Sequence, residues 1–263
     1  MECRPRFPSL KGIAFDLDGT IYLGQSAIDG AVETLAFLRE QGLMVFYFTN
    51  ASGRTREQVR QKLVGLGLEA DLRQVYTSGF ACAQYACAAS LGEVFCIGTQ
   101  GLRDELGSRG ISVTEDGRSA QAVIVGLDPG FSYDRLAEAG PMIGGDCRLI
   151  VCNRDRSFPV EGGRLLPGCG PIVAAVESFF GREADYMAGK PNTFMMELLC
   201  QDWGLNKDEI AVVGDSFTSD MEMARRFGCA SILIAEEKPA VTFDQMQVVR
   251  DIRELKDVLF TSC

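Results

Sequence analysis

The stretch Gly12-Ile13-Ala14-Phe15-Asp16-Leu17-Asp18-Gly19-Thr20 decides how this chain is read. It begins as an apolar run and closes on two aspartates with a single leucine between them. Side chains two apart on an extended chain point the same way, so Asp16 and Asp18 are expected to share one small space. Like charges that close resist ionising together. A metal cation, a lysine, or a proton held on one carboxyl would offset them, and the stretch alone leaves all three open.

Further apolar runs recur along the chain: Leu43–Phe48, Ala122–Gly126, Arg148–Cys152, Ile210–Gly214 and Ala230–Ile234. Several are apolar at nearly every position, as strands buried on both faces should be. Helical spacing lies between them, as in Val32/Leu35/Ala36, Val59/Leu63/Leu66, Ile172/Val176/Phe179 and Phe194/Leu198/Leu199. Gly42 and Gly228 stand where helix C-caps belong. Strand and helix in alternation predict an α/β fold with a parallel sheet. In such sheets ligands bind beyond the carboxyl ends of the strands. The polar residues that follow the runs are therefore the candidates: Asp16 and Asp18, then Thr49 and Asn50, then Asp215, with Lys190 after a weaker run. The interval between Asn50 and Lys190 is too long for a connection inside one sheet. It predicts an inserted α/β domain over residues 80–185, with the core formed by 1–79 and 186–263.

Composition excludes much. The chain of 263 residues has a net charge of −10, which disfavours nucleic acid and anionic membrane as partners. No run reaches membrane-span length, and the opening MECRPRFPSLKG has no apolar signal core, so a cytoplasmic protein is expected. There is no histidine, which removes Ser-His-Asp and Cys-His catalysis and His-ligated metals. The ten cysteines form no CxxC pair, and the spacings Cys82/Cys87 and Cys147/Cys152 suit no shared metal; they read as reduced, small apolar residues. Gly214-Asp215-Ser216-Phe217-Thr218 lacks the closing glycine of a nucleophile elbow. Gly189-Lys190-Pro191 is no P-loop, because Ala184 and Pro191 stand at required positions. Ser219-Asp220-Met221-Glu222 reads as a capping box with Ser219 as N-cap.

Four motifs in order carry a resemblance: DLDGT at 16–20, TN at 49–50, GKP at 189–191 and GDSFTSD at 214–220. Together they resemble the haloacid dehalogenase (HAD) superfamily of hydrolases. YLG at 22–24, the large insertion and GKPN are similar to its NagD-like, or 4-nitrophenylphosphatase-like, group. Within the insertion, VGLD, FSYDRL and the CNRD…P…GG…LPGCGPIVAAVE segment resemble that group's α/β cap.

The resemblance implies a Rossmann-like core with a large inserted cap, and a Mg²⁺-dependent phosphatase acting on small phosphate monoesters. It implies Asp16 as nucleophile, forming an aspartyl-phosphate, and Asp18 as the acid and then the base. It implies Mg²⁺ held by Asp16, the backbone oxygen of Asp18 and Asp215, with Asp220 behind them. Thr49 and the backbone N–H of Asn50 would hold a phosphoryl oxygen, and Lys190 would neutralise Asp16 and the phosphate. Asn153, Arg154 and Asp155 lie in the cap loop expected to face the core, with Arg154 reading a second anionic group; the plainer alternative pairs Arg154 with Asp155. Two departures stand out: Ala51 where the second motif often has a further asparagine, and Phe158 where some pyridoxal-phosphate phosphatases have histidine. The substrate class spans sugar phosphates, nucleotides, phosphoglycolate and 4-nitrophenyl phosphate, and a homodimer through the cap is left open. The rival reading is a catalytically idle ligand-binding module that kept the fold.

Overall fold

The computed structural model describes residue 7, residues 9–160 and residues 164–260. Gly162 and Gly163 of the cap motif, Cys3, Cys263 and most of the opening segment lie outside the described residues. The chain divides into two compact units. The first is Met1–Phe48, Arg60–Val75 and Met196–Cys263; the second is Thr49–Val59 and Tyr76–Met195.

The first unit holds most of a six-stranded sheet. In spatial order its strands are Met246–Val249, Ala230–Ile234, Ile210–Gly214, Gly12–Asp16, Met44–Thr49 and Val75–Thr77. The described pairs run parallel. Every residue of Gly12–Asp16 and of Ile210–Gly214 is buried, which is why these runs show no polar alternation. The strand Gly12–Asp16 lies between one strand that follows it closely in sequence and one from the far end of the chain. Its carboxyl end is therefore a topological switch point, where sheets of this kind open a crevice.

The helix Ala31–Glu40 packs through Ala31, Thr34, Leu35 and Leu38. That stripe differs from the one read off the sequence: Ala36 is exposed and Val32 only half-buried. Gly42 follows the helix in the left-handed region, at φ 85°. Trp203 closes the helix Phe194–Trp203 and meets Phe46 edge-on at 5.2 Å.

The second unit holds a five-stranded sheet, Tyr186–Met187, Arg148–Val151, Ala122–Val125, Glu93–Ile97 and Ser112–Thr114 in spatial order. Its described pairs are all parallel. The helix Cys169–Phe180 lays Cys169, Ile172, Val173, Val176 and Phe180 into its core. Phe180, rather than Phe179, is the aromatic that goes inside, while Phe179 is exposed. The helix stops at Gly181, which is left-handed at φ 66°.

The eight described cysteines are free thiols, and Cys82, Cys96, Cys152, Cys169 and Cys229 are buried. Burial pushes the Cys96, Cys169 and Cys229 thiols up to about 12, so they pack as small apolar groups. No described helix is long and apolar enough to cross a membrane.

Candidate active site

The aspartate stretch leaves its strand at Asp16 and folds sharply. The N–H groups of Thr20, Ile21 and Tyr22 all point back to the Leu17 carbonyl, at 3.3, 2.9 and 3.1 Å. Gly19 permits this at φ 97°. The Asp18 carboxylate accepts from the Tyr22 hydroxyl at 3.3 Å, and the Lys62 ammonium lies 3.3 Å from the centre of the Tyr22 ring.

The close partners of Asp16 come from across the sheet. One carboxylate oxygen from each of Asp16, Asp215 and Asp220 lies within 4.8 Å of the others. Strand register explains the first two: Phe15 pairs with Val213, which brings Asp16 and Asp215 to the same edge. Asp220 follows on the turn Phe217–Met221, where its carboxylate accepts from the Ser216 N–H at 3.2 Å. Ser216, not Ser219, is the N-cap, accepting from the Ser219 N–H at 3.3 Å. The cap lies three residues before the expected one, which leaves Ser219 inside the turn. Glu222, expected to complete a capping box, instead pairs with Arg225 and Arg226 at 2.7 Å each, and these hold its carboxyl down to about 2.

Whether this cluster suits a cation can be tested on its own geometry. Asp16 is 7% exposed and Asp220 1%, so their charges have little water to stabilise them. All three donors are hard oxygens, which Mg²⁺ and Ca²⁺ prefer. The space is also kept open: a Cβ on Gly19 would strike the Asp215 carboxylate, and one on Gly214 the Asp220 carboxylate. Thr20 donates to Asp215 at 3.4 Å. The residues fit a hard divalent cation.

The second unit gathers the other candidates. Thr49 ends its strand, and its hydroxyl accepts from the Ala51 N–H at 3.0 Å. The Asn50 carboxamide grips the main chain of Lys190 twice, accepting from its N–H at 2.8 Å and donating to its carbonyl at 3.1 Å. It also donates to the Asp155 carboxylate at 3.1 Å. Asn153 donates to the Asn50 carbonyl at 2.6 Å and accepts from the Asp155 N–H at 3.0 Å. Gly189 is needed for this closeness: a Cβ there would come within 2.5 Å of the Cys152 carbonyl and 2.6 Å of the Asn50 carboxamide oxygen. Lys190 itself is 3% exposed. A hydrogen bond with Cys82, together with burial, raises the neighbouring Cys152 thiol well above its ordinary value.

Arg154 stands apart from this group. Its guanidinium makes a two-pronged pair with Glu177 at 2.8 and 2.5 Å, in place of the pairing with Asp155 considered from sequence. Phe158 is half-buried on a short antiparallel ribbon opposite Leu166.

Sequence reasoning passed over Tyr22 and Ser78. Ser78 donates to the Asn50 carbonyl at 2.6 Å. Its only sequence signal is a Thr-Ser pair ahead of an apolar helix, which reads as a cap and nothing more.

Fold and site together define an α/β enzyme with an acidic centre, of a kind that suits a hard cation, at the switch point of a parallel sheet. A family model described as haloacid dehalogenase-like hydrolase matches residues 13–112, and a second, HAD-hydrolase-like, matches residues 187–255. The sugar-phosphatase AraL of Bacillus subtilis is 33% identical over 85% of this chain and 82% of its own. A crystal structure of 4-nitrophenylphosphatase from Thermotoga maritima superposes with a TM-score of 0.86 at 28% identity, covering 95% of this chain and 97% of that one. Glycerol phosphate phosphatase from Mycobacterium tuberculosis, solved in complex with magnesium, gives 0.85 at 26% identity over 98% of this chain and 81% of its own. The chain belongs to the haloacid dehalogenase-like hydrolases, in their NagD-like, 4-nitrophenylphosphatase-like group.

Proposed function

We propose that this protein hydrolyses small phosphate monoesters, with sugar phosphates as the first class to test, through a phosphorylated Asp16. The observation that carries this reading is the meeting of Asp16, Asp215 and Asp220 within 4.8 Å at the carboxyl edge of the sheet. In the first step an Asp16 carboxylate oxygen attacks phosphorus, the ester P–O bond breaks, and Asp18 gives its proton to the departing alcohol oxygen. In the second, water attacks the same phosphorus while Asp18 takes a proton from it. The Asp16–phosphoryl bond then breaks and inorganic phosphate leaves. Asp16, Asp215 and the Asp18 backbone oxygen would hold Mg²⁺, with Asp220 completing the acidic set; the ion supplies charge neutralisation for the carboxylates and the transferring phosphoryl group.

Thr49, the Asn50 N–H and the Lys190 ammonium are assigned to the phosphoryl oxygens. The Asn50 carboxamide is already occupied by Lys190 and Asp155, which leaves its main-chain N–H for the phosphate. Asp155 is kept as the cap-loop group on the substrate side, Asn153 as its support, and Arg154 as a strut against Glu177. Residues 80–185, inserted between 1–79 and 186–263, act in this reading as a cap that limits the substrate to a small metabolite. The free thiols and the acidic surface favour work in the cytoplasm. AraL, by its name a sugar phosphatase, supports sugar phosphates as the starting class.

The test is phosphate release from sugar phosphates, glycerol phosphate, nucleoside monophosphates, phosphoglycolate, pyridoxal phosphate and 4-nitrophenyl phosphate, each with Mg²⁺ and with EDTA. Mg²⁺-dependent release from at least one ester, ranked by the alcohol portion, is the expected result. Release that EDTA leaves untouched, or none from any ester, would remove the reading in favour of an idle binder.

A further inference from the structure

The geometry points to Ser78 as a positioning residue for Lys190, acting through Asn50; this rests on the phosphatase reading above. Ser78 is the first residue of the helix Ser78–Ala88 and is 0% exposed. A buried hydroxyl is costly unless it is hydrogen-bonded. The helix does not need it: Thr77 is the N-cap, accepting from the Phe80 N–H at 3.0 Å. The Ser78 hydroxyl instead donates to the Asn50 carbonyl at 2.6 Å. The Asn153 amide donates to the same carbonyl at 2.6 Å, so both lone pairs of that oxygen are engaged.

With its carbonyl pinned from two sides, Asn50 cannot rotate its peptide. Its carboxamide then presents a fixed donor and acceptor to the main chain of Lys190. Ser78 also walls the approach of the lysine segment, since a Cβ on Gly189 would stand 2.9 Å from the Ser78 Cβ. Ser78 thus fixes where the Lys190 main chain sits, and so where its ammonium can reach. A small misplacement of a group that acts on the transition state lowers kcat more than it alters substrate affinity.

A double-mutant cycle tests this. Hydrolysis of 4-nitrophenyl phosphate and thermal unfolding are measured for the wild type, Ser78→Ala, Lys190→Ala and the double variant. Asp16→Asn serves as the blank and Ser231→Ala as a comparison, because Ser231 is also buried and its hydroxyl has no hydrogen-bond partner among the described residues. Ser78→Ala should lower kcat roughly tenfold and leave KM within about threefold, while Ser231→Ala leaves both unchanged. In the Lys190→Ala background, Ser78→Ala should change kcat no further, although its effect on Tm stays the same in both backgrounds. Equal fold losses of kcat in the two backgrounds, or a Ser78→Ala enzyme with full kcat, would overturn the positioning role and leave the phosphatase reading standing. A wild type with no turnover above Asp16→Asn would overturn the phosphatase reading, and this role with it.

Discussion

At the scale of single residues, the chemistry rests on side chains that are absent as much as on those present. Gly19 and Gly214 are blank positions against which the Asp215 and Asp220 carboxylates lie. Gly19 also sits at φ 97°, where a side chain is strained whatever the space. Gly19→Ala should therefore push Asp215 off the cluster and raise the Mg²⁺ concentration for half-maximal activity by roughly 10–100-fold. A metal titration of activity, repeated as a calorimetric titration of the metal alone, would show it. An unchanged midpoint would mean that Asp215 contributes little to holding the ion. The glycine of DLDGT was legible as a turn residue. Its second task, making room for a carboxylate some 200 positions away, was not, because nothing local marks that approach.

At the scale of elements, the strands were easy to read and the helix faces less so. A strand buried on both sides announces itself as an unbroken apolar run, as Ile210–Gly214 does. A helix stripe can slide by one residue, because adjacent apolar positions such as Phe179 and Phe180 serve the spacing equally well until packing chooses between them. The cap on the fourth motif moved for a related reason: Ser216 and Ser219 both satisfy the rule for a capping residue, and the turn Phe217–Met221 selects the earlier one.

The Arg154–Glu177 pair ties a loop to the helix Cys169–Phe180. Its arginine holds the Glu177 carboxyl below its ordinary range. A depressed folded-state value gives stability that is fully present above the unfolded value and lost as pH falls through the folded one. Arg154 is 43% exposed, so solvent screening limits the pair; Glu177→Gln should cost no more than about 1 kcal/mol at pH 7, about 2–4 °C in Tm. Melting curves taken downward from pH 7 should show the two proteins converging in the acid range. A gap that stays constant with pH would assign the effect to packing.

At the scale of the whole molecule, four short motifs spread over some 200 residues were enough to name the family, because each stands at a strand end or in a turn where an α/β sheet presents its ligands. The grouping of Asp16, Asp215 and Asp220 was legible only through the resemblance, which set them around one ion, and the hydrogen bonds that join Asn50, Asn153, Asp155 and Lys190 were not legible at all. The aspartates gather within one compact unit, and Asn50, Asn153, Asp155 and Lys190 gather within the other. Sheet order and loop hydrogen bonds decide those groupings, and neither is written in any local pattern. The sequence placed a domain edge at 185/186; Tyr186–Met187 pairs with Arg148–Val151 in the second sheet.

The central claim is that Asp16 carries the phosphoryl group. The most direct measurement is acid quenching of the Mg²⁺-loaded enzyme during turnover of its best ester, followed by peptide mass spectrometry. The account predicts a phosphorylated peptide with the modification on Asp16, lost in Asp16→Asn together with turnover. Turnover that persists in Asp16→Asn, with no modified aspartate in the wild type, would contradict it.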